Sequence, residues 1–344
     1  MAAYESLFDT LGLRDWCDAD KVDAPLSMAQ LLAQAQGDDG AVETGGFPFP
    51  SLDTLNEACA RIGQTRDLTE GLENGFLAIR SELKFVLDPI TQPLSWMLDG
   101  TLFVFETAPW WVMMPALLLL TWVVSRSRSV TAFVTFVLLF FGFIDHYEVA
   151  MQTLAIVFVC TGISVLFGVP IGIGMSKSDT AQRGIVPILD LLQTLPTFVY
   201  LIPLIFLFSV TESKLYGIAI ILYAIVPVIR LTDLGIRLVD KDVIEAANAF
   251  GLTAWQKLTR VELPLALPNI MAGVNQTIMM SLAMVVIASL VSAPGLGVLV
   301  LRGIRALDLG VGIVAGLGIV LLAVVLDRVS KAALNRVDTG AKSK

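Results

Sequence analysis

The sequence predicts an all-α polytopic membrane protein, with about seven transmembrane helices preceded by amphipathic helices at the N-terminus. Three observations carry this. Apolar residues make up 56% of the 344 positions and charged residues only 16%, against about 45–50% and about 25% in soluble domains. Seven apolar runs approach the ~17–25 residues that a helix needs to cross a bilayer. Charge is also segregated. Residues 1–106 hold 6 Lys+Arg and 18 Asp+Glu, a net of −12, whereas residues 107–344 hold 17 and 13, a net of +4. The overall −8 therefore belongs to the N-terminal tail, and no basic stripe of the kind that binds nucleic acid is present.

Residues 1–50 are polar and rich in Gly and Asp, with short helices expected near Tyr4–Leu11 and Leu26–Ala35. Leu52, Leu55, Cys59 and Ile62 recur at helical spacing, as do Leu68, Leu72, Phe76, Ile79 and Leu83. Both stripes predict amphipathic helices rather than spans. Residues 93–106 are apolar but short and carry Asp99 and Glu106, which fits a helix lying in the membrane interface. The expected spans are 107–124, 129–145, 149–175, 185–208, 215–234, 268–292 and 309–327. Trp110 and Trp111 open the first at headgroup level. Gly168 with Gly172, and Gly312 with Gly316, have the small-xxx-small spacing that permits close helix approach.

The start of the chain lacks the basic and apolar regions of a cleaved signal peptide. Orientation follows from the loops. With the 235–267 loop placed in the cytoplasm, the inner loops hold 14 Lys+Arg and the outer loops only Lys214, Arg302 and Arg305, as the positive-inside rule requires. The division is then an acidic extracytoplasmic tail over 1–106, a membrane domain over 107–334 and a cytoplasmic C-terminal tail over 335–344. A seven-span count puts the acidic tail outside; were 93–106 itself a span, the tail would lie inside.

No catalytic constellation is evident. His146, the only histidine, falls at an expected outer interface beside Asp145, where an interfacial polar residue is the reading, and one imidazole cannot make a His-rich metal site. Of the three cysteines, Cys160 falls in a span, while Cys17 and Cys59 lie in the tail, either paired or as free thiols. Gly172 to Ser178 resembles a phosphate loop but lacks the second Gly directly before Lys177. Asp190, about one and a half turns into the fourth span, is expected to make a helix-end or bundle contact near the cytoplasmic end, the alternative being a role in the pathway. Gln193, Thr194 and Tyr200 flank Pro196 in the fourth span, and Asn275, Gln276 and Thr277 sit in the sixth. These six are the translocation-pathway candidates, or alternatively hydrogen-bond across helices.

Asp242 to Pro264 is the least membrane-like stretch of the C-terminal two thirds. Glu245, Ala246 and Ala247 read as a short helix that Gly251 stops. Thr253 reads as the N-cap of a second short helix ended by Leu263–Pro264, with Trp255 and Leu258 available to pack it onto the spans. This pattern resembles the cytoplasmic coupling loop of ABC-transporter permeases. Residues about 95–335 resemble the permease subunit of the bacterial glycine betaine/proline betaine uptake family. The runs that carry the resemblance are 193–203, 245–251, 263–277, 284–290, 295–297 and 301–304.

The resemblance implies a type I ABC importer permease fold and a homodimer in the bacterial inner membrane. It also implies two ATP-binding cassette subunits that carry the ATP and Mg, and an extracytoplasmic binding protein that selects the solute. No cofactor is expected in this chain. Glu245, Ala246, Ala247, Gly251, Leu263 and Pro264 take the ATPase-coupling positions. The expected solute is a compatible solute such as glycine betaine, proline betaine, choline or trimethylamine N-oxide. The alternatives are an ion-coupled carrier or channel working without an ATPase, and a membrane sensor.

Overall fold

The computed structural model describes residues 8, 10–12 and 65–342. Most of the acidic tail, including the helices expected near 26–35 and 51–63 together with Cys17 and Cys59, lies outside the described residues. The chain divides into two compact units, Met1–Ser81 and Glu82–Lys344. In the first, the described part of a long helix is mostly exposed, including Leu72 and Ile79 of its apolar stripe. The second unit begins earlier than the 106/107 boundary read from composition, because Leu98 and Leu102 of that helix join its core.

The described residues are helical throughout, with no strand among them. In order the helices are α1 Thr65–Thr107, α2 Trp110–Ser125, α3 Arg128–Phe143, α4 Tyr147–Ser176, α5 Asp179–Thr194, α6 Leu201–Leu207 and α7 Ser213–Arg237. Then come α8 Lys241–Ala249, α9 Ala254–Lys257, α10 Leu263–Ala288, α11 Leu296–Ala306 and α12 Leu309–Lys342. Among the described residues, four stretches are long and apolar enough to cross a membrane: Tyr147–Ser176, Ser213–Arg237, Ala254–Val291 and Leu309–Leu334. The count rises to six if each of two bent helix pairs is one span. The first expected span is the 16-residue α2, bent by 116° from α1, and the second is the 16-residue α3.

The expected fourth span, 185–208, is not one helix. Its two parts, Asp179–Thr194 and Thr197–Leu207, meet at 104°. Pro196 has no N–H to continue the ladder, and its ring drives Leu195 into extended backbone at φ −64°, ψ 133°.

α7 is the central helix, lying against both α4 and α10. Its Leu215, Ala219, Ile220, Ala224, Val226 and Val228 are completely buried. Glycines let the backbones approach. A Cβ added at Gly172 of α4 would stand 2.6 Å from the Ile229 carbonyl oxygen and 2.7 Å from Thr232 Cβ. On the other side of α7, a Cβ at Gly273 of α10 would meet Val228 Cα at 3.0 Å. Of the second spaced pair, Gly312 lies against Gly303, while Gly316 has open space around it.

At one end of the bundle, α1 is clamped to α7. Lys214, only 4% exposed, donates to Asp88 at 2.7 Å and pairs with Glu212 at 2.8 Å. Ser213 donates to Asp99, and Gln152 of α4 donates to Glu106 at 2.9 Å. Burial opposes ionisation of Glu212, but the hydrogen bond and charge of Lys214 outweigh it and hold this carboxyl below its usual range.

Gly172→Val is expected to lower the melting temperature of the detergent-solubilised protein sharply, because the obstacle is partly backbone. Gly316→Ala, with nothing within 4 Å, should leave it unchanged. A thermal series read by size-exclusion fluorescence checks both. Glu212 carries a lowered folded pKa, so its contribution to stability is present above the unfolded value of about 4.3 and is lost as pH falls through the folded value. Glu212→Gln should therefore destabilise the protein at neutral pH, and its difference from wild type should close on acidification.

Candidate coupling surface and pathway

The 235–267 loop is built by local chemistry. Asp240 caps α8, its Oδ1 accepting from the Asp242 N–H at 2.9 Å. Gly251 ends the helix at φ +72°, and the Leu252 N–H donates to the Ala247 carbonyl at 3.2 Å, closing the turn as expected of a left-handed C′ residue. Thr253 caps α9 through a reciprocal capping box: its Oγ1 accepts from the Gln256 N–H at 3.3 Å, while Gln256 Oε1 accepts from the Thr253 N–H at 3.0 Å.

Two expectations need correction. The second helix does not stop at Leu263–Pro264. It passes through a π turn, Leu258–Glu262, directly into α10, so that Ala254–Val291 forms one 38-residue helix. Pro264 comes just after this π turn, where the hydrogen-bond register changes, so the helix passes the proline without ending. The wide turn is closed by the Leu263 N–H donating five residues back to Leu258. Second, Trp255 does not pack onto the spans, being 72% exposed. Leu258 and Leu263 do pack, against buried Ile236, Ala266 and Ile270.

Of the coupling positions, Ala247 is buried while Glu245, Ala246 and Pro264 face outward. Phe250, 88% exposed, and Trp255 add large apolar groups to this same polar-capped loop. An exposed aromatic pair on a rigid helical turn is the composition of a surface completed by another molecule.

Sequence reasoning passed over the residue that anchors the loop. Glu262, to which the sequence assigns no role, is 5% exposed and accepts from Lys177 at the end of α4. Beside it Arg237 joins three elements: it donates to Asp233 at 2.9 Å, to Asp179 of α5 at 2.8 Å and to the Met175 carbonyl at 2.9 Å. Gln182 completes the set, donating to Asp233 at 2.8 Å. No local signal marks Glu262 in this mixed segment, because its partner is 85 residues away. Asp190 makes its contact with Arg230 of α7.

The six pathway candidates do not form one polar face. Successive helical residues point about 100° apart. Asn275 therefore turns to α12, donating to Asp327 at 2.7 Å and accepting from Ser330 at 2.9 Å. Gln276 is exposed, and Thr277 is fully buried with no partner for its hydroxyl. Tyr200 is buried at the break and its hydroxyl donates to the Leu195 carbonyl at 3.4 Å. Thr194 is exposed and its hydroxyl bonds the Leu191 carbonyl of its own helix, and Gln193 is half-buried.

Residues 164–339 match the family model described as the binding-protein-dependent transport system inner membrane component. The chain is 40% identical over 267 residues to the glycine betaine/proline betaine transport system permease protein ProW of Escherichia coli (strain K12), covering 77% of this chain and 73% of that protein. It is 42% identical over 229 residues to the glycine betaine transport system permease protein OpuAB of Bacillus subtilis (strain 168), covering 66% and 76%. It is also 40% identical over 189 residues to the trimethylamine N-oxide transport system permease protein TmoV of Ruegeria pomeroyi, covering 55% and 29%. A solved chain of the MetNI methionine ABC transporter in an inward facing conformation shares the fold, with a TM-score of 0.50 at 20% identity over 54% of this chain and 93% of that chain. The chain is therefore a multi-pass membrane protein that belongs to the binding-protein-dependent transport system inner membrane component family.

Proposed function

We propose that this chain is the permease subunit of an ATP-driven importer for a compatible solute of the betaine class, working as a homodimer with two ATPase subunits and an extracytoplasmic binding protein. The relatives whose names specify glycine betaine, proline betaine and trimethylamine N-oxide support the solute class. In this reading the chain itself is no enzyme and holds no cofactor; ATP and Mg are bound by the partner. The 235–267 loop faces the cytoplasm, the acidic tail over 1–106 lies outside, and the C-terminal residues 335–344 lie inside, as the charge asymmetry supports.

The single observation that carries the mechanism is the continuity of Ala254–Val291. A helix that begins at an exposed aromatic surface and ends across the bilayer transmits displacement as a rigid body. α8 seats against the ATPase through Glu245, Ala246 and the exposed Phe250, with small Ala246 permitting close approach. Gly251, Leu263 and Pro264 hold the turn and the entry to α10. Lys177–Glu262 and the Arg237 set tie the same movement to α4, α5 and α7. The break at Pro196 and the polar residues Gln193, Thr194, Tyr200, Asn275, Gln276 and Thr277 are proposed to face or border the solute path, with Asn275 also joining α10 to α12.

Glu245→Lys and Gly251→Pro are expected to abolish uptake while leaving membrane insertion and dimer size intact. Normal transport by both variants would sink the coupling role. Glu262→Gln, which removes the buried charge facing Lys177, should lower solute-stimulated ATP hydrolysis more than assembly with the ATPase. Co-purification with the candidate ATPase and binding protein, followed by ATPase assays across methylated amines, tests the importer and its solute together. Solute movement by the purified chain alone in liposomes would favour the ion-coupled carrier.

A further inference from the structure

The end of the bundle opposite the coupling loop carries an unusual distribution of charge. Exposed acids surround it: Asp99 and Glu106 on α1, Asp145 and Glu148 where α4 begins, and Asp308 before α12. Its lysines are already engaged, Lys214 with Asp88 and Glu212, and Lys84 with Glu212 at 3.8 Å. Arg302 and Arg305 of α11 differ. Both are exposed, and among the described residues neither has a hydrogen-bond or ion-pair partner. Three positions apart on a helix, they share one face and lie within about 5–6 Å at their Cβ atoms. With Ser289, Val298, Leu301 and Ala306 they line a surface groove of about 380 Å³.

The helix that presents them is held firmly. It is entered through Ser292 at φ +72° and Gly295 at φ +113° and left through Leu307 at φ +55°. The Leu296 N–H donates to Thr153 Oγ1 of α4 at 2.9 Å. Gly303 seats against α12 so closely that an added Cβ would come within 2.6 Å of Gly312 Cα. Ile304 and Leu307, 64% and 92% exposed, stand beside the arginines. A rigid helix with exposed apolar side chains and two free guanidiniums has the composition of a preorganised protein-docking element.

We infer that Arg302 and Arg305 on α11 are the docking contact for an acidic patch on the extracytoplasmic binding protein. This rests on the importer reading and on the sidedness it assigns. The family description supplies the existence of such a partner, and charge supplies the address. Guanidiniums pair with carboxylates bidentately. The acids around them repel a carboxylate placed anywhere else on this end, so the pair sets the partner's register as well as its attraction.

The test uses the full complex in proteoliposomes, with ATPase activity read against the concentration of solute-loaded binding protein. In wild type the half-saturating concentration should rise with ionic strength. In the Arg302→Glu, Arg305→Glu double variant it should rise about tenfold at low salt and lose most of its salt dependence, with ATP hydrolysis in the absence of binding protein unchanged. The Arg302→Gln, Arg305→Gln variant should give a smaller shift of the same sign, which guards against a folding defect in the charge reversal. An unchanged half-saturating concentration in both variants overturns the inference. So does an unchanged concentration with a selective loss of carboxylate-bearing solutes relative to choline, which would make the pair a solute subsite. Labelling of Arg305→Cys by a membrane-impermeant maleimide in intact cells separates the two readings. Labelling with no docking effect rejects this inference alone, whereas protection from outside with labelling after permeabilisation rejects the sidedness beneath it.

Discussion

The close approach of α4, α7 and α10 is the constraint on which the rest of the structure depends. In a bilayer, helices gain nothing from leaving an aqueous phase at their lateral faces; association comes from packing and interhelical hydrogen bonds. Gly172 and Gly273 remove side chains where α7 is approached from its two sides, so backbone meets backbone and side chain directly. Leu215, Ile220, Val226 and Val228 of α7 then fill the space completely. α11, α12 and the end of α1 are arranged around that three-helix unit.

Charge closes the two ends of the unit in different ways. At one end Lys177–Glu262 and the Arg237 set draw α4, α5, α7 and the loop before α10 together. At the other, Lys214 draws the second half of α1 onto α7 through Asp88, while Ser213 holds Asp99. Each set satisfies groups that would be expensive to leave unpaired near a membrane. The proposed coupling loop gains its rigidity from the first set and from the π turn, which lets a proline enter a helix without ending it.

Much of the loop was legible beforehand. A glycine after E-A-A-N-A-F and a Thr three residues before Gln announce a helix stop and a capping box through contacts of at most a few residues, and both occur. Glu262 was not legible, because nothing local marks a carboxylate as buried until Lys177 arrives from another helix. The continuation through Pro264 was misread for a related reason: proline is a stop signal inside a helix and a start signal in its first turn, and the π turn decides which applies. The three polar candidates in the sixth span do not share one face, because Asn275, Gln276 and Thr277 are adjacent, and adjacency on a helix separates side chains instead of gathering them.

By itself the sequence determined that this is a helical membrane protein, which loops are basic, and where the 235–267 loop turns. These properties follow from composition, periodicity and residue-level conformational preference, all of which act within one helix or one turn. Only the tertiary structure decided that the expected fourth span is broken at 104°, that the second half of α1 packs into the second compact unit, and which charged groups pair with one another. The last point separates Lys214 from Arg302 and Arg305, three cations that look alike along the chain. The difference is whether folding brings a carboxylate within reach; for Lys214 one comes from its neighbour Glu212 and the other, Asp88, from 126 positions away.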